Sequence, residues 1–164
     1  MTLAASAVGS DSAVERRKLY ISGFMHLQNV DRIYGISFAI LKALLPTLNR
    51  HDISGARIVG TRATVMGGEQ ILPDKPPSII VRLVLPELVR NIMNARRSFT
   101  YFSTSNVDRS LLPPELAGSL PDCRILVNEV LSPSYFADYL SLKDTAKKLG
   151  FKFVWYCNGR ILVR

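Results

Sequence analysis

The chain has 164 residues, 48% hydrophobic and 21% charged, a composition that excludes a disordered tail and favours one ordinary domain or two small ones. Its 21 Lys and Arg against 13 Asp and Glu give a net charge of +8, which favours polyanionic partners such as nucleic acid. Cys123 and Cys157 form no CxxC pair, and no apolar run is long enough to span a membrane. We therefore expect a cytoplasmic or nuclear protein with no disulfide framework, metal, cofactor or membrane partner.

The first predicted elements are a strand and a helix. Residues 1–16 are small and polar and are expected to form a flexible lead-in. The alternation in "RKLYISGF" then predicts a strand with Leu19 and Ile21 inward and Tyr20 outward. A helix capped by Asn29 or Asp31 is expected next, and its apolar residues recur at spacings of three and four. That stripe comprises Ile33, Ile36, Ile40, Leu41, Leu44 and Leu48.

The next segment predicts two strands and a second helix. The strands are "GARIVGTR" and "SIIVRLV", and the Gly- and Pro-bearing loop between them has room for a short hairpin arm. Pro86 opens a helix with Val89, Ile92 and Met93 inward. This order predicts an α+β fold of the split βαβ type, in which two helices cover one face of a sheet. We place this domain at residues 17–103 and a linker, where the periodicity fades, at 104–122.

The C-terminal segment, residues 123–164, predicts a smaller strand-helix-hairpin domain. "RILVNEV" has a strand pattern, and Ser132 followed by Pro133 is typical of a helix start. The helix has an apolar stripe and ends at Gly150. The stripe comprises Tyr135, Tyr139, Leu142, Ala146 and Leu149.

The closing segment "FVWYCNGRILVR" predicts a β-hairpin. Asn158-Gly159 favours a type I′ turn, because both central positions of that turn need positive φ. One face then carries three cross-strand pairs, Cys157 with Arg160, Trp155 with Leu162 and Phe153 with Arg164. The other face, with Lys152, Val154, Tyr156, Ile161 and Val163, is mostly aliphatic and suits packing on the helix stripe.

Arginine beside an aromatic ring is an arrangement that binds single-stranded nucleic acid, since a base stacks on the ring while the guanidinium contacts phosphate. The alternative is that Trp155 and Phe153 are core residues, although Arg160 and Arg164 make that face costly to bury. Lys147, Lys148 and Lys152 extend the basic patch; a lysine face taken alone is usually a solvated surface.

The first domain has a weaker candidate surface. Tyr20 stands outward on the first strand, as an aromatic does in RNA-recognition motifs. The partner strand "SIIVRLV" presents Ile80, Arg82 and Val84 in place of aromatic residues. Two alternatives follow: this sheet binds nucleic acid weakly through Tyr20 and Arg82, or another segment covers it, because Ile80 and Val84 would otherwise leave an apolar patch in water.

The chain resembles the first-open-reading-frame protein of LINE-type retrotransposons and the baculovirus FP protein. Three stretches carry the resemblance: "RKLYISGF", "PPSIIVRLVLPELVRNIMNARRSF" and the segment from "RILVNEV" to the last residue. The resemblance implies a noncanonical RNA-recognition-motif domain followed by a small C-terminal domain, whose basic residues bind single-stranded RNA or DNA. By position it implies this role for Arg82, Lys147, Lys148, Arg160 and Arg164. Relatives usually have an upstream coiled coil, whereas residues 1–17 show no heptads, and Cys157 stands where relatives are often basic.

Catalytic motifs are missing from the sequence, and His26 and His51 are isolated, so we expect no enzyme. The leading hypothesis is a retrotransposon- or virus-derived protein that coats or chaperones single-stranded RNA with little sequence preference. The alternative is a module that docks a protein partner, or a second copy of itself, through its sheet faces.

Overall fold

The computed structural model describes residues 15–23, 32–60, 64–66, 69–71, 77–118, 120–157 and 160–164. The chain divides into two compact units: Arg16–Val130 is the larger, and Leu131–Arg164 forms the body of the smaller. The fold is mixed α/β, with a four-stranded antiparallel sheet, helices and a small C-terminal strand pair, as the predicted α+β class requires. Among the described helices, none combines the length and apolar character of a membrane span.

The larger unit contains nine helices and strands of regular structure among its described residues. In chain order they are β1 (Lys18–Ser22), α1 (Ile33–Leu44), β2 (Ile53–Val59), β3 (Thr64–Met66), β4 (Glu69–Ile71), β5 (Ser78–Leu83), α2 (Pro86–Arg97), α3 (Pro114–Ala117) and β6 (Leu126–Glu129). Strands β3 and β4 pair only with each other and form the predicted hairpin arm. The remaining four strands form one sheet.

The sheet has the order β2-β5-β1-β6, and every neighbouring pair is antiparallel. Strands β1 and β2 are therefore parallel to each other and are separated by β5, while β5 and β6 are parallel and separated by β1. Helix α1 connects the first parallel pair and α2 connects the second. The result is two interleaved split βαβ units.

Apolar periodicity explains where the core lies. The predicted α1 stripe is buried along its whole length, from Ile33 to Leu48, and the helix ends at Leu44, two residues before Pro46. Leu19 and Ile21 of β1 are also buried, as predicted. These side chains belong to one cluster with Val89 and Ile92 of α2. The predicted α1 caps, Asn29 and Asp31, lie outside the described residues.

The segment that we predicted as a linker, residues 104–122, contributes to this core. Val107, Leu112 and Leu120 are buried in the same cluster as α1. The segment folds as short turns, with 3-10 helices at Thr104–Asn106 and Arg109–Leu111. Tight turns of this kind carry apolar residues at irregular spacings, which is why neither a helix nor a strand pattern appears in the sequence.

The strand that we assigned to the C-terminal domain is the edge strand of the large sheet. In β6, Val127 lies opposite Ile21 and Asn128 opposite Tyr20 of β1. The larger unit accordingly continues to Val130 instead of ending near residue 103. An alternating pattern identifies a strand but not its partner, and pairing with β1 lets Val127 join the buried face.

The smaller unit contains α4 (Pro133–Lys148), β7 (Val154–Cys157) and β8 (Arg160–Val163). Ser132 caps α4 as predicted, since its Oγ accepts a hydrogen bond from the Tyr135 backbone N–H, and Pro133 takes the first turn. Gly150 follows the helix with a φ of 81°, a conformation that glycine adopts without strain. Tyr135 and Ala146 of the predicted stripe are buried, but Leu149 is 68% exposed because it lies beyond the last helical turn.

Candidate functional site

The hairpin formed by β7 and β8 has the predicted register. Trp155 lies opposite Leu162 and Cys157 opposite Arg160. Phe153 and Arg164 exchange two backbone hydrogen bonds, both of 2.9 Å, so they form a hydrogen-bonded pair. Such pairs alternate along an antiparallel ladder, which places all three pairs on one face of the hairpin. The predicted turn residues, Asn158 and Gly159, lie outside the described residues.

This outer face comprises Phe153, Trp155, Arg160, Leu162 and Arg164, and most of it is exposed. The exposed fractions are 62% for Phe153 and 40% for Trp155, and both arginines are exposed. Because Trp155 faces Leu162, the two arginines are its diagonal cross-strand neighbours, and such positions lie about 7–8 Å apart, within reach of long side chains. In the ladder Trp155 is therefore flanked diagonally by two arginines, as predicted, and it is not a core residue.

The inner face comprises Val154, Tyr156, Ile161 and Val163, and it packs on α4. The rings of Tyr135 and Tyr156 meet edge to face, with centroids 5.4 Å apart, and the Tyr139 hydroxyl donates a 3.3 Å hydrogen bond to the Val154 carbonyl. Ile161 is buried. These contacts hold the hairpin on the helix through its inner face, which leaves the outer face turned to solvent.

The predicted lysines lie at the end of α4 and in the loop that follows it. Lys147, Lys148 and Lys152 are all exposed. The backbone N–H of Lys152 donates a 2.8 Å hydrogen bond to the Arg164 carbonyl, so the backbone of Lys152 is anchored at the end of the hairpin. Lys147 and Lys148 also suit the negative end of the helix dipole, which is a structural reason for their position.

Tyr20 and Arg82 lie on the outward surface of the large sheet, as predicted. A row across the sheet runs from Arg57 through Ile80 and Tyr20 to Asn128. Tyr20 and Ile80 are half-buried, and the Tyr20 hydroxyl donates a 2.8 Å hydrogen bond to Ser78 Oγ. The sheet is thus neither fully covered nor a stacking platform of several rings.

Arg57 and Asn128 are exposed members of that row which sequence reasoning did not single out. Only the strand register reveals them. Pairing of β2 with β5 places Arg57 beside Ile80, and pairing of β6 with β1 places Asn128 beside Tyr20. Together with Arg82, which is also exposed, they give this surface two guanidinium groups and an amide around one aromatic ring. Such a surface can contact phosphate and stack on a single base.

The predicted residues therefore fall into two groups, one in each unit. Trp155, Arg160 and Arg164 come together on one hairpin face, with Lys152 next to it in the chain. Tyr20 and Arg82 share the other surface, on adjacent strands of the large sheet. The hairpin group is the better candidate, because its aromatic residues are more exposed and its two arginines are their cross-strand neighbours in the ladder.

A family model described as baculovirus FP protein domain 2 matches residues 141–164. The matched segment contains the second half of α4 and the whole hairpin, and so every predicted site residue except Tyr20 and Arg82. This segment is thus similar to the second domain of that viral protein. No curated protein matches the chain.

Proposed function

We propose that this protein is a non-enzymatic binder of single-stranded nucleic acid, RNA foremost, with little sequence preference. The observation that carries the proposal is the exposed Trp155 between Arg160 and Arg164 on the outer face. A base can stack on the indole while the guanidinium groups contact the phosphates on either side. In this proposal Lys147, Lys148 and Lys152 add phosphate contacts around the hairpin.

The energetics favour weak sequence preference. Every base has a π-face, so stacking of about 1–3 kcal/mol per base does not select one base over another. The phosphate contacts are equally indifferent to sequence. Both exposed rings of the outer face, Phe153 and Trp155, would contribute in this way. Affinity would therefore depend on salt and strand length more than on base composition.

The larger unit is proposed to act as a noncanonical RNA-recognition-motif domain. Its split βαβ arrangement and four-stranded sheet are compatible with that role, and Tyr20 with Arg82 would be its contacts. We also propose that the chain derives from a virus or a LINE-type retrotransposon, where coating or chaperoning RNA is the corresponding task. The FP-like match at residues 141–164 supports the viral part of this origin.

The test is a fluorescence-anisotropy titration of a labelled mixed-sequence single-stranded RNA. The parent chain is compared with Arg160→Ala plus Arg164→Ala. A matched control removes the same charge elsewhere, at the exposed Arg90 and Arg109. Circular dichroism checks that each variant stays folded.

We expect the hairpin variant to bind at least about tenfold more weakly than the parent, since two charge-assisted contacts are lost. The control should change affinity by less than about threefold, because non-specific attraction at moderate salt is screened. Equal affinity of the parent and the folded hairpin variant would exclude the outer face as the site.

A second candidate function is docking of a protein partner through the outward surface of the large sheet. It is favoured by one observation, the apolar character of that surface at the half-buried Ile80 and the exposed Leu126. Salt separates the two functions: nucleic-acid affinity falls steeply as salt rises, whereas docking on an apolar sheet changes little.

A further inference from the structure

An apolar groove lies between α4 and the hairpin in the smaller unit. It has a volume of about 100 Å³, and its walls are almost wholly non-polar. They are formed by Leu142, Thr145, Ala146, Leu149, Phe151, Ile161 and Val163. For comparison, an apolar cavity of about 150 Å³ accepts benzene, so this groove suits one aliphatic side chain.

The groove is partly open to solvent. Leu149 is 68% exposed although it lines an apolar site, and Phe151 beside it is half-buried. An apolar rim of this kind is costly in water and becomes favourable when a second apolar group covers it. The groove wall includes Ile161 and Val163 of the inner face, so it is distinct from the Trp155 side of the hairpin.

The segment that forms the groove is strongly basic: residues 142–164 contain six Lys or Arg and a single carboxylate, Asp144. Lys148 immediately precedes Leu149, and Lys152 immediately follows Phe151. Both lysines are exposed. Neither these lysines nor Asp144, which immediately precedes Thr145, line the groove themselves. A ligand that enters here meets a non-polar slot in a predominantly basic segment of the chain.

We propose that this groove binds a protein partner by taking one aliphatic side chain from an acidic segment. The slot supplies apolar contact for the side chain, and the lysines pair with flanking Asp or Glu. Complementary charge speeds the encounter and restricts the partner class, while burial of the side chain supplies most of the specificity. Its apolar slot is separate from the outer face, while Lys148 and Lys152 are also residues of the proposed nucleic-acid site.

The probe is a short fluorescent peptide of Asp and Glu around a single Leu, together with the same peptide carrying Ala in place of Leu. The measured quantity is the ratio of the two affinities, which cancels the general attraction of acidic peptides to a basic protein. Burial of one leucine makes the expected ratio for the parent chain about ten.

Two variants with the same chemical change separate the groove from the rest of α4. Leu149→Asp places a carboxylate at the rim, and the ratio should fall to near one. The control is Leu140→Asp, which changes a leucine that is 44% exposed on the same helix and does not line the groove. The control should keep the ratio, and circular dichroism verifies both folds.

A ratio near one for the parent chain, or one that both variants lower equally, would overturn the proposal. Vesicles of anionic phospholipid provide a further arm. If they bind in a Leu149-dependent manner while the peptides show no preference for leucine, the occupant is a membrane surface and the proposal fails. A last outcome is that single-stranded RNA displaces both peptides equally while the parent chain binds them with the same affinity. In that outcome the peptides bind only a basic patch, and the proposal fails.

Discussion

Gly23 directly follows β1 and lies beside the backbone that leads into β6. Its φ is +92°, which L side chains rarely adopt, and a Cβ added there would lie closer than 3.0 Å to the carbonyl oxygen of Arg124. The contacting atoms belong to backbone that leads into β6, so they cannot rotate away as a side chain would. Gly23→Ala should therefore push β6 away from β1.

The expected loss is the sum of two costs. Positive φ costs an alanine about 1–2 kcal/mol. Displacing the edge strand weakens a ladder of which each hydrogen bond contributes about 0.5–1.5 kcal/mol net. If two of these hydrogen bonds are lost, they add about 1–3 kcal/mol, and the free energy of unfolding of the larger unit should fall by about 2–5 kcal/mol in total, measured by urea unfolding followed by far-UV circular dichroism.

Two other glycines provide matched controls. Gly150 has a φ of +81°, but an added Cβ would meet nothing within 4 Å, so Gly150→Ala should cost the smaller unit only the backbone term of about 1–2 kcal/mol. Gly35 lies in α1 with open space around it, and Gly35→Ala should stabilise by about 0.5 kcal/mol. If Gly23→Ala lost no more than Gly150→Ala, the close approach to Arg124 would not matter, and the reasoning would be refuted.

Three further outcomes are expected. Removing both hairpin arginines should lower the slope of log affinity for single-stranded RNA against log salt by about 1.4, because each phosphate contact contributes about 0.7. Tyr20→Phe should destabilise by about 1 kcal/mol in urea unfolding, since buried Ser78 loses its 2.8 Å partner, yet keep RNA affinity because the ring remains. Hydrogen bonds from the Ser110 side chain and backbone hold the pKa of Asp108 below 3.8. The contribution of this carboxylate to stability is therefore present above pH 3.8 and is lost as the pH falls through the lowered pKa. Ser110→Ala should raise the pKa of Asp108 in an NMR titration.

The sequence was informative where periodicity and local chemistry act together. The α1 stripe, the Ser132 cap and the hairpin register each depend on residues close in the chain, and the structure confirms all three. The fold class followed from their order. The exposed state of Trp155 was also predictable, because two arginines on the same face make burial costly.

The pairing of strands that are distant in the sequence could not be predicted from local patterns. The pattern of "RILVNEV" predicts a strand equally well in either unit, and only its pairing with β1 shows that it belongs to the large sheet. The same limit hid Arg57 and Asn128, whose places in the row with Ile80 and Tyr20 depend on three strand pairings among four strands. Residues 104–122 were mistaken for a linker because tight turns bury Val107 and Leu112 without a regular spacing.

The body of the smaller unit has fewer than about 40 residues, a size at which a hydrophobic core alone rarely maintains a fold. Among its described residues, the buried hydrophobic side chains are Tyr135, Ala146 and Ile161. A ligand that binds the folded unit should therefore raise its free energy of unfolding by about 2.7 kcal/mol at a concentration a hundred times its Kd, which shifts the unfolding midpoint measurably. The fluorescence of Trp155, the single Trp of the chain, reports this transition.

This gives a test of whether the outer face and the groove are separate sites. They lie on opposite faces of the hairpin, so single-stranded RNA and the leucine peptide should stabilise the unit additively when both are present. If the two ligands compete for the same basic residues, the second will add little to the midpoint set by the first. In Leu140→Asp the two ligands together should still stabilise the unit by the sum of their separate effects. In Leu149→Asp only the stabilisation by RNA should remain. This pair of results would assign each ligand to its own face.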